Sequence, residues 1–327
     1  MDFITANGIN WIVVIQTLGG WLEMPARFLT YLGSEDFFFM VLPLLYWSID
    51  SRVGLQVGLI LSTTSCLNNI VKLAFADPRP YWVSDQVKPL AGESSFGTPS
   101  GHAQNAAAIW GVMANGARKR WVWVAVVLLV FLIGFSRLYL GVHFVHDVIA
   151  GWLIGALSLW LFIRLREPVE VWIFKRTLLQ QIGIALLISL IMVLVGAFFV
   201  SRLDGFVIPQ EWKDNALRSG VELDPVSIED ILTSAASFFG LAAGAAWIGA
   251  RGGYQTAGPV EKRALRYVVG LIGVLVLWMG LGEIFPRDED LISYVLRYLR
   301  YTLVGFWVTA GAPWLFFHFK LADPPKM

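Results

Sequence analysis

Residues 121–163 read WVWVAVVLLVFLIGFSRLYLGVHFVHDVIAGWLIGALSLWLFI. Two apolar runs, 121–139 and 146–164, flank a polar knot made of Ser136-Arg137 and His143-Phe144-Val145-His146-Asp147. Crossing a bilayer takes about 20 mostly apolar residues. In lipid a single segment satisfies its own backbone polar groups only as a helix. The stretch therefore predicts two membrane helices with their charge gathered at the turn between them. Charged groups at such a depth are costly unless they pair or line a cavity, so these residues are candidates for function.

The same ruler places further spans near 36–50, 53–75, 100–117, 179–200, 228–250, 265–285 and 294–318. That makes nine helices with short connections, except at 76–98 and 201–227. Residues 8–32 are apolar but broken by Gly19-Gly20, Glu23, Pro25 and Arg27, and read as a helix lying in the interface. The composition agrees with an all-α polytopic membrane protein. Apolar residues make up 57% of the 327, charged residues 15%, and mean hydropathy is +0.64. A soluble domain carries about 25% charge. A net charge of +1 excludes a nucleic-acid binder working through a basic face. The single cysteine, Cys66, excludes an internal disulfide.

Cations flanking membrane helices stay cytoplasmic. Counted through nine spans, the side opposite the N-terminus holds Arg52, Arg118, Lys119, Arg120, Arg164, Arg166, Lys175, Arg176, Arg251, Lys262, Arg263, Arg266, Lys320 and Lys326. These are 14 of 25 cations, against five of 24 acids. That side, with the C-terminus, is expected to be cytoplasmic. The N-terminal side is expected to face the periplasm, the exterior or a lumen.

Two more clusters share that outer side: Lys72 with Asp77-Pro78-Arg79-Pro80, and Pro99-Ser100-Gly101-His102. The ends of spans two and four and the starts of three and five thus meet. Lys72, Arg79 and Arg137 suit a dianionic phosphate, which arginine grips with two prongs. Ser100 and Gly101 open a helix, where free N–H groups and the helix dipole favour an anion. His143 and Asp147, four apart, share a helix face. The carboxylate can hold one imidazole nitrogen and leave the other to attack phosphorus. His102 is placed to protonate a leaving alkoxide. Tyr81 and His146 are accessory candidates. A metal held by His143, His146 and Asp147 is disfavoured by the surrounding cations, and neither metal nor cofactor is expected. Taken singly, the residues have blander readings: Lys72 snorkelling to headgroups, Ser100 capping a helix, His146 packing beside the site.

Together they resemble the type 2 phosphatidic acid phosphatase (PAP2) superfamily. Its signature is Lys, six residues, Arg-Pro (Lys72, Arg79, Pro80), then Pro-Ser-Gly-His (Pro99 to His102), then Ser-Arg, five residues, His, three residues, Asp (Ser136, Arg137, His143, Asp147). The resemblance implies a six-helix core over 36–200, preceded by an interfacial segment 1–35. An outer loop and three further helices would fill 201–327. Arg79-Pro80-Tyr81-Trp82 and His143-Phe144 followed by His146 look most like the branch holding glucose-6-phosphatase and the sphingosine-phosphate phosphatases. That resemblance implies a metal-independent phosphatase. His143 would be the nucleophile, Asp147 its support and His102 the acid. Lys72, Arg79, Ser100, Gly101 and Arg137 would bind phosphate. The glucose-6-phosphatase pattern lacks the acid that stands here as Asp147, which tips the implied substrate toward a lipid phosphate in the bilayer. The alternatives are a sugar phosphate, or a carrier that only binds phosphate. Beyond the core, Arg297 and Arg300 are expected to pair with Glu283 or Asp290. The acidic 201–227 loop (Asp204, Glu211, Asp214, Glu222, Asp224) is expected to form a solvated cap.

Overall fold

The computed structural model describes residues 3–323; Met1, Asp2 and residues 324–327, Lys326 among them, lie outside the described residues. Helices and loops make up the whole of what is described, with no strand. In chain order they are α1 (Phe3–Gln16), α2 (Glu23–Tyr31), α3 (Glu35–Leu44), α4 (Ser51–Phe75), α5 (Pro80–Val83), α6 (Gly101–Ala117), α7 (Arg120–Tyr139) and α8 (Val145–Ile173). There follow α9 (Leu178–Arg202), α10 (Gln210–Leu217), α11 (Glu229–Gly249), α12 (Val260–Leu275), α13 (Leu281–Ile284), α14 (Leu291–Phe306) and α15 (Ala312–His318).

All nine expected spans are helical, but their lengths differ from expectation. Among the described residues six helices are long and apolar enough to cross a membrane, or seven if the bent pair Gly20–Tyr31 and Glu35–Ile49 counts as one span. The physical reason lies in what the others carry. α6 has only 17 residues, and it buries Gln104 and Asn105 rather than an all-apolar surface. α14 contains Arg297 and Arg300. Lipid-facing length gives way to polar, protein-facing surface.

The chain divides into two compact units. One comprises Met1–Phe37, Leu67–Trp160 and Gly196–Ile228, and holds every residue of the sequence-predicted site. Within it α8 lies hard against the start of α6. A Cβ on Gly151 would come within 2.6 Å of the Ser100 carbonyl oxygen, and one on Gly155 within 2.4 Å of that of Gln104. Small residues permit such approach. The 201–227 loop packs in this unit as a cap. Asn215 Nδ2 donates to the Trp82 carbonyl (2.9 Å), and Arg218 donates to the carbonyls of Tyr81, Ser84 and Asp85. Trp212 meets the Trp82 ring at 5.7 Å, and Phe206 meets Phe96 at 5.6 Å.

The other unit comprises Phe38–Cys66, Leu161–Val195 and Glu229–Met327. Here α11 and α14 pack through glycines, a Cβ on Gly240 falling within 2.2 Å of the Thr302 carbonyl oxygen. This pairing changes the expected ion pairs. Arg297 bonds Glu229, at the start of α11, at 2.7 Å, and Glu283 faces Arg287 at 3.7 Å. Sequence proximity suggested Glu283 or Asp290, but the neighbouring helix supplies the nearer acid. Cys66 is buried in this unit.

Candidate active site

α4 ends at Phe75, and the chain turns through Asp77-Pro78-Arg79, extended at Arg79, into the single turn of α5. Pro80 at the first helical position fits there because the missing N–H would have no helical partner. Ser100 caps α6, its hydroxyl oxygen accepting the Ala103 N–H at 3.4 Å. The Ser100 N–H is itself held by the Asp147 carbonyl at 2.9 Å. These joints bring the three motifs together.

His143 sits between an acid and a base. Its Nδ1 lies 3.3 Å from Asp147 Oδ2, and its Nε2 lies 3.1 Å from Arg79 Nη1. Arginine can only donate, so Nε2 presents its lone pair and Nδ1 carries the proton toward the carboxylate. Burial pushes the His143 imidazole well below its ordinary pKa, and the nearby charges of Arg79, Arg137, Lys72 and His102 push the same way. Both effects favour the neutral ring.

Asp147 is fully buried. Oδ2 also accepts the Phe144 N–H at 2.8 Å, and Oδ1 accepts a short hydrogen bond from the Thr98 hydroxyl. His146 Nε2 stands 3.2 Å from Oδ1, with 47% of its side chain exposed and its ring stacked on Phe144. It therefore braces Asp147 and lies outside the cationic cluster.

Arg79 is fully buried and held on all sides. Nε donates to the Ser95 carbonyl (2.7 Å), Nη1 to the Val142 carbonyl (3.0 Å), and Nη2 to the Phe96 carbonyl (3.0 Å) and Ser95 Oγ (3.2 Å). Its charge stands 6.0 Å over the Trp82 ring. Lys72 Nζ shares Ser95 Oγ at 2.9 Å. Arg137 Nη1 donates to Thr30 Oγ1 at 2.7 Å and Nη2 to the Glu93 carboxylate, while its Nε is buried without a hydrogen-bond partner. His102 is the second residue of α6, directly after the Ser100 cap and Gly101. Among the described residues no group of three or more His, Cys, Asp or Glu side chains could hold a metal ion.

Sequence reading did not single out Glu93, Ser95, Thr98 or Thr30. Glu93 lies within the loop between α5 and α6, and Oε2 is 3.9 Å from Arg79 Nη2. Burial alone would raise its pKa. The charges of Arg137, Arg79, His102 and Lys72 outweigh that and hold the carboxyl well below the usual range. Its backbone is fixed by Tyr81, whose hydroxyl accepts the Glu93 N–H and donates to the Glu93 carbonyl, both at 2.9 Å. Tyr81 thus positions the loop that carries Glu93. The sequence around Glu93 carries no signal for this role: the loop holds one cation, Lys88, and a second acid, Asp85.

The arrangement can bind a tetrahedral anion and present a neutral, oriented imidazole to it. Comparisons with known proteins give the family. The PAP2 superfamily model matches residues 53–170, and the model of its transmembrane extension matches residues 232–324. Glucose-6-phosphatase 3 of Bos taurus is 27% identical over 100% of this chain and 99% of its own length. Phosphatidylglycerophosphatase B of Bacillus subtilis (strain 168) is 32% identical over 46% of this chain and 78% of its own. The crystal structure of a PAP2-type phosphatidylglycerolphosphate phosphatase from Bacillus subtilis overlaps 52% of this chain and 89% of that one, with a TM-score of 0.45 and 28% identity.

Proposed function

Because this chain belongs to the PAP2 superfamily and is a membrane phosphatase, we propose that it hydrolyses a lipid phosphate, monoester or diphosphate, through a phosphohistidine on His143. The observation that carries this reading is the imidazole of His143 held between Asp147 Oδ2 and Arg79 Nη1.

In the proposed reaction His143 Nε2 forms a bond to phosphorus as the bond to the alcohol oxygen breaks. His102 gives that oxygen a proton. Asp147 keeps Nδ1–H in line and offsets the imidazolium charge that develops. Water, activated by His102, then cleaves the N–P bond and releases phosphate. Lys72, Arg79 and Arg137 stabilise the equatorial oxygens, where charge accumulates in the transition state. The Ser100 N–H is already engaged, so Gly101 and His102 supply the helix-start N–H groups, with the Ser100 hydroxyl beside them.

The lipid reading has its own support. Thr30 of α2 bonds Arg137, and the same segment exposes Trp21, Met24 and Phe28, at 73%, 75% and 63%, spaced as one helix face. An apolar face on an element that also touches the phosphate bowl suits a bowl at headgroup level, with the acyl or prenyl tail left in the bilayer. The reaction side would be extracytoplasmic or lumenal and the C-terminus cytoplasmic, following the cation distribution. A second reading, a sugar-phosphate phosphatase, draws support from the full-length likeness to glucose-6-phosphatase 3.

The test is phosphate release by the purified protein from a phospholipid monophosphate, a prenyl diphosphate and a hexose phosphate. A faster hexose phosphate would overturn the lipid assignment. Release that survives His143→Ala, without an acid-labile phosphoenzyme in the parent protein, would overturn the mechanism. Absence of phosphate release from all three substrates by the parent protein would leave the carrier reading in its place.

A further inference from the structure

The bowl already contains an anion. Glu93 Oε1 takes an N–H of Arg137, and Oε2 lies 3.9 Å from Arg79 Nη2, so one carboxylate bridges two of the three cations assigned to phosphate. Glu93 retains 26% side-chain exposure, whereas the two arginines are 0% and 2% exposed. Of the three side chains, Glu93 is the one that reaches solvent. Resting on the reading of this bowl as a phosphate site, we propose that Glu93 is its internal ligand, an affinity-determining residue whose carboxylate the substrate phosphate must displace from Arg137 and the departing phosphate must yield to.

Three features favour this role over a merely structural ion pair. First, the backbone of Glu93 is fixed independently of its carboxylate. Tyr81 holds both its N–H and its carbonyl. The side chain can swing away from Arg137 while the loop stays in place. Second, Arg137 keeps Nε buried without a partner. An arginine buried for structure alone would normally satisfy that donor. Here Nε and the Nη2 now bonded to Glu93 are the pair that grips two phosphate oxygens side by side. Third, an empty bowl of three buried cations would repel itself strongly. One carboxylate relieves that repulsion without neutralising it, which leaves a net attraction for a dianion.

The consequence is a deliberate loss of affinity. Each phosphate that binds must break a charge-assisted hydrogen bond, and each that leaves is replaced by one. Inorganic phosphate, the shared product of every candidate substrate, is thereby held weakly enough to release.

The experiment compares the full-length protein with Glu93→Gln, which keeps the shape and removes the charge, and with Tyr81→Phe, which loosens the backbone clamp. Inhibition by inorganic phosphate and KM are measured together, alongside thermal unfolding with and without phosphate. Glu93→Gln is expected to lower the phosphate inhibition constant and KM together by about tenfold, since a charged competitor at a close pair is lost. It should melt earlier than the parent without phosphate, and gain more stability than the parent when phosphate is added. Tyr81→Phe should move the inhibition constant the same way by a smaller factor. An unchanged or raised inhibition constant, or equal phosphate stabilisation of parent and Glu93→Gln, overturns the proposal. The unfolding readout needs no turnover, so it decides even if Glu93→Gln is catalytically dead. If phosphate stabilises neither protein, the phosphate-site reading itself fails, and the proposal with it.

Discussion

At the residue scale the proposed reaction turns on His143 and Asp147. Asp147→Asn keeps the volume but reverses the hydrogen-bond logic at Nδ1, because the amide can donate where only an acceptor fits. Turnover is expected to fall by about 10³-fold or more, with KM little changed, because the interaction strengthens as the imidazole gains charge. Steady-state kinetics of the purified variant checks this; a change confined to KM would contradict it. His143 also sets a pH dependence of stability. Its folded pKa lies well below its ordinary value of 6.5, so below that pH the unfolded chain binds a proton that the folded site refuses. The stability from its neutral burial is present above pH 6.5 and is lost as pH falls beneath it. Glu93, also held below its ordinary 4.5, adds a second loss starting near that value. Thermal midpoints should drop on acidification from about pH 6.5, and His143→Asn should flatten the upper part of that decline. What the sequence made legible at this scale was the spacing of Lys72, Arg79, His102, His143 and Asp147, the residues of the proposed site. What it concealed were partners fixed by no period. Glu93, Ser95 and Thr98 lie in a loop where neither a helical nor an alternating pattern says which side chain turns inward, and Thr30 reaches Arg137 across 107 positions.

At the element scale, the helices were legible because lipid demands long apolar runs, and their shortfall in spanning length was not. The polar faces of α6 and α14 are accounted for by neighbouring helices, which a linear hydropathy count does not see. The N-terminal segment gains the most from the structure. It reads as a surface helix, yet α2 delivers Thr30 to the bowl and exposes Met24 and Phe28, with Trp21 exposed in the turn just before it. Replacing those three residues by serine should raise KM for a vesicle-borne phospholipid monophosphate, with little effect on a short-chain soluble analogue. Equal effects on both substrates would argue against a membrane-facing entry at this helix. Gly155 makes a second test of element packing. A Cβ there would fall within 2.4 Å of the Gln104 carbonyl oxygen, so a larger side chain must push α8 away from α6. Gly155→Val is expected to cost about 1–3 kcal/mol of stability through overpacking. It should also impair catalysis by shifting Asp147 and Ser100, one on each helix. Thermal unfolding together with kcat would reveal both losses, and an unperturbed kcat would mean that the two helix starts are not rigidly coupled.

At the scale of the whole molecule, the remaining question is which way the chain faces, and charge provides the lever. The cationic connections, such as Arg118-Lys119-Arg120, are predicted to stay cytoplasmic, whereas the acidic 201–227 loop is predicted outside. Within its unit that loop caps α5, next to the Arg79 loop, through Trp212, Asn215 and Arg218. The orientation of the cap is therefore the orientation of the site. Cys66 is buried, and it is the chain's single cysteine, so the native protein offers a quiet background for thiol labelling. Glu211→Cys, on the exposed face of α10, should react with a membrane-impermeant maleimide in intact cells. Lys119→Cys should react only after permeabilisation. The reverse pattern would put the bowl in the cytoplasm, where it would meet soluble sugar phosphates and cytoplasmic-leaflet lipids instead. Labelling of both positions from outside would show that the segments between them do not cross the membrane an odd number of times. In that case the nine-span count, and the sidedness built on it, would have to be redrawn around the six or seven helices with the length and apolarity to cross.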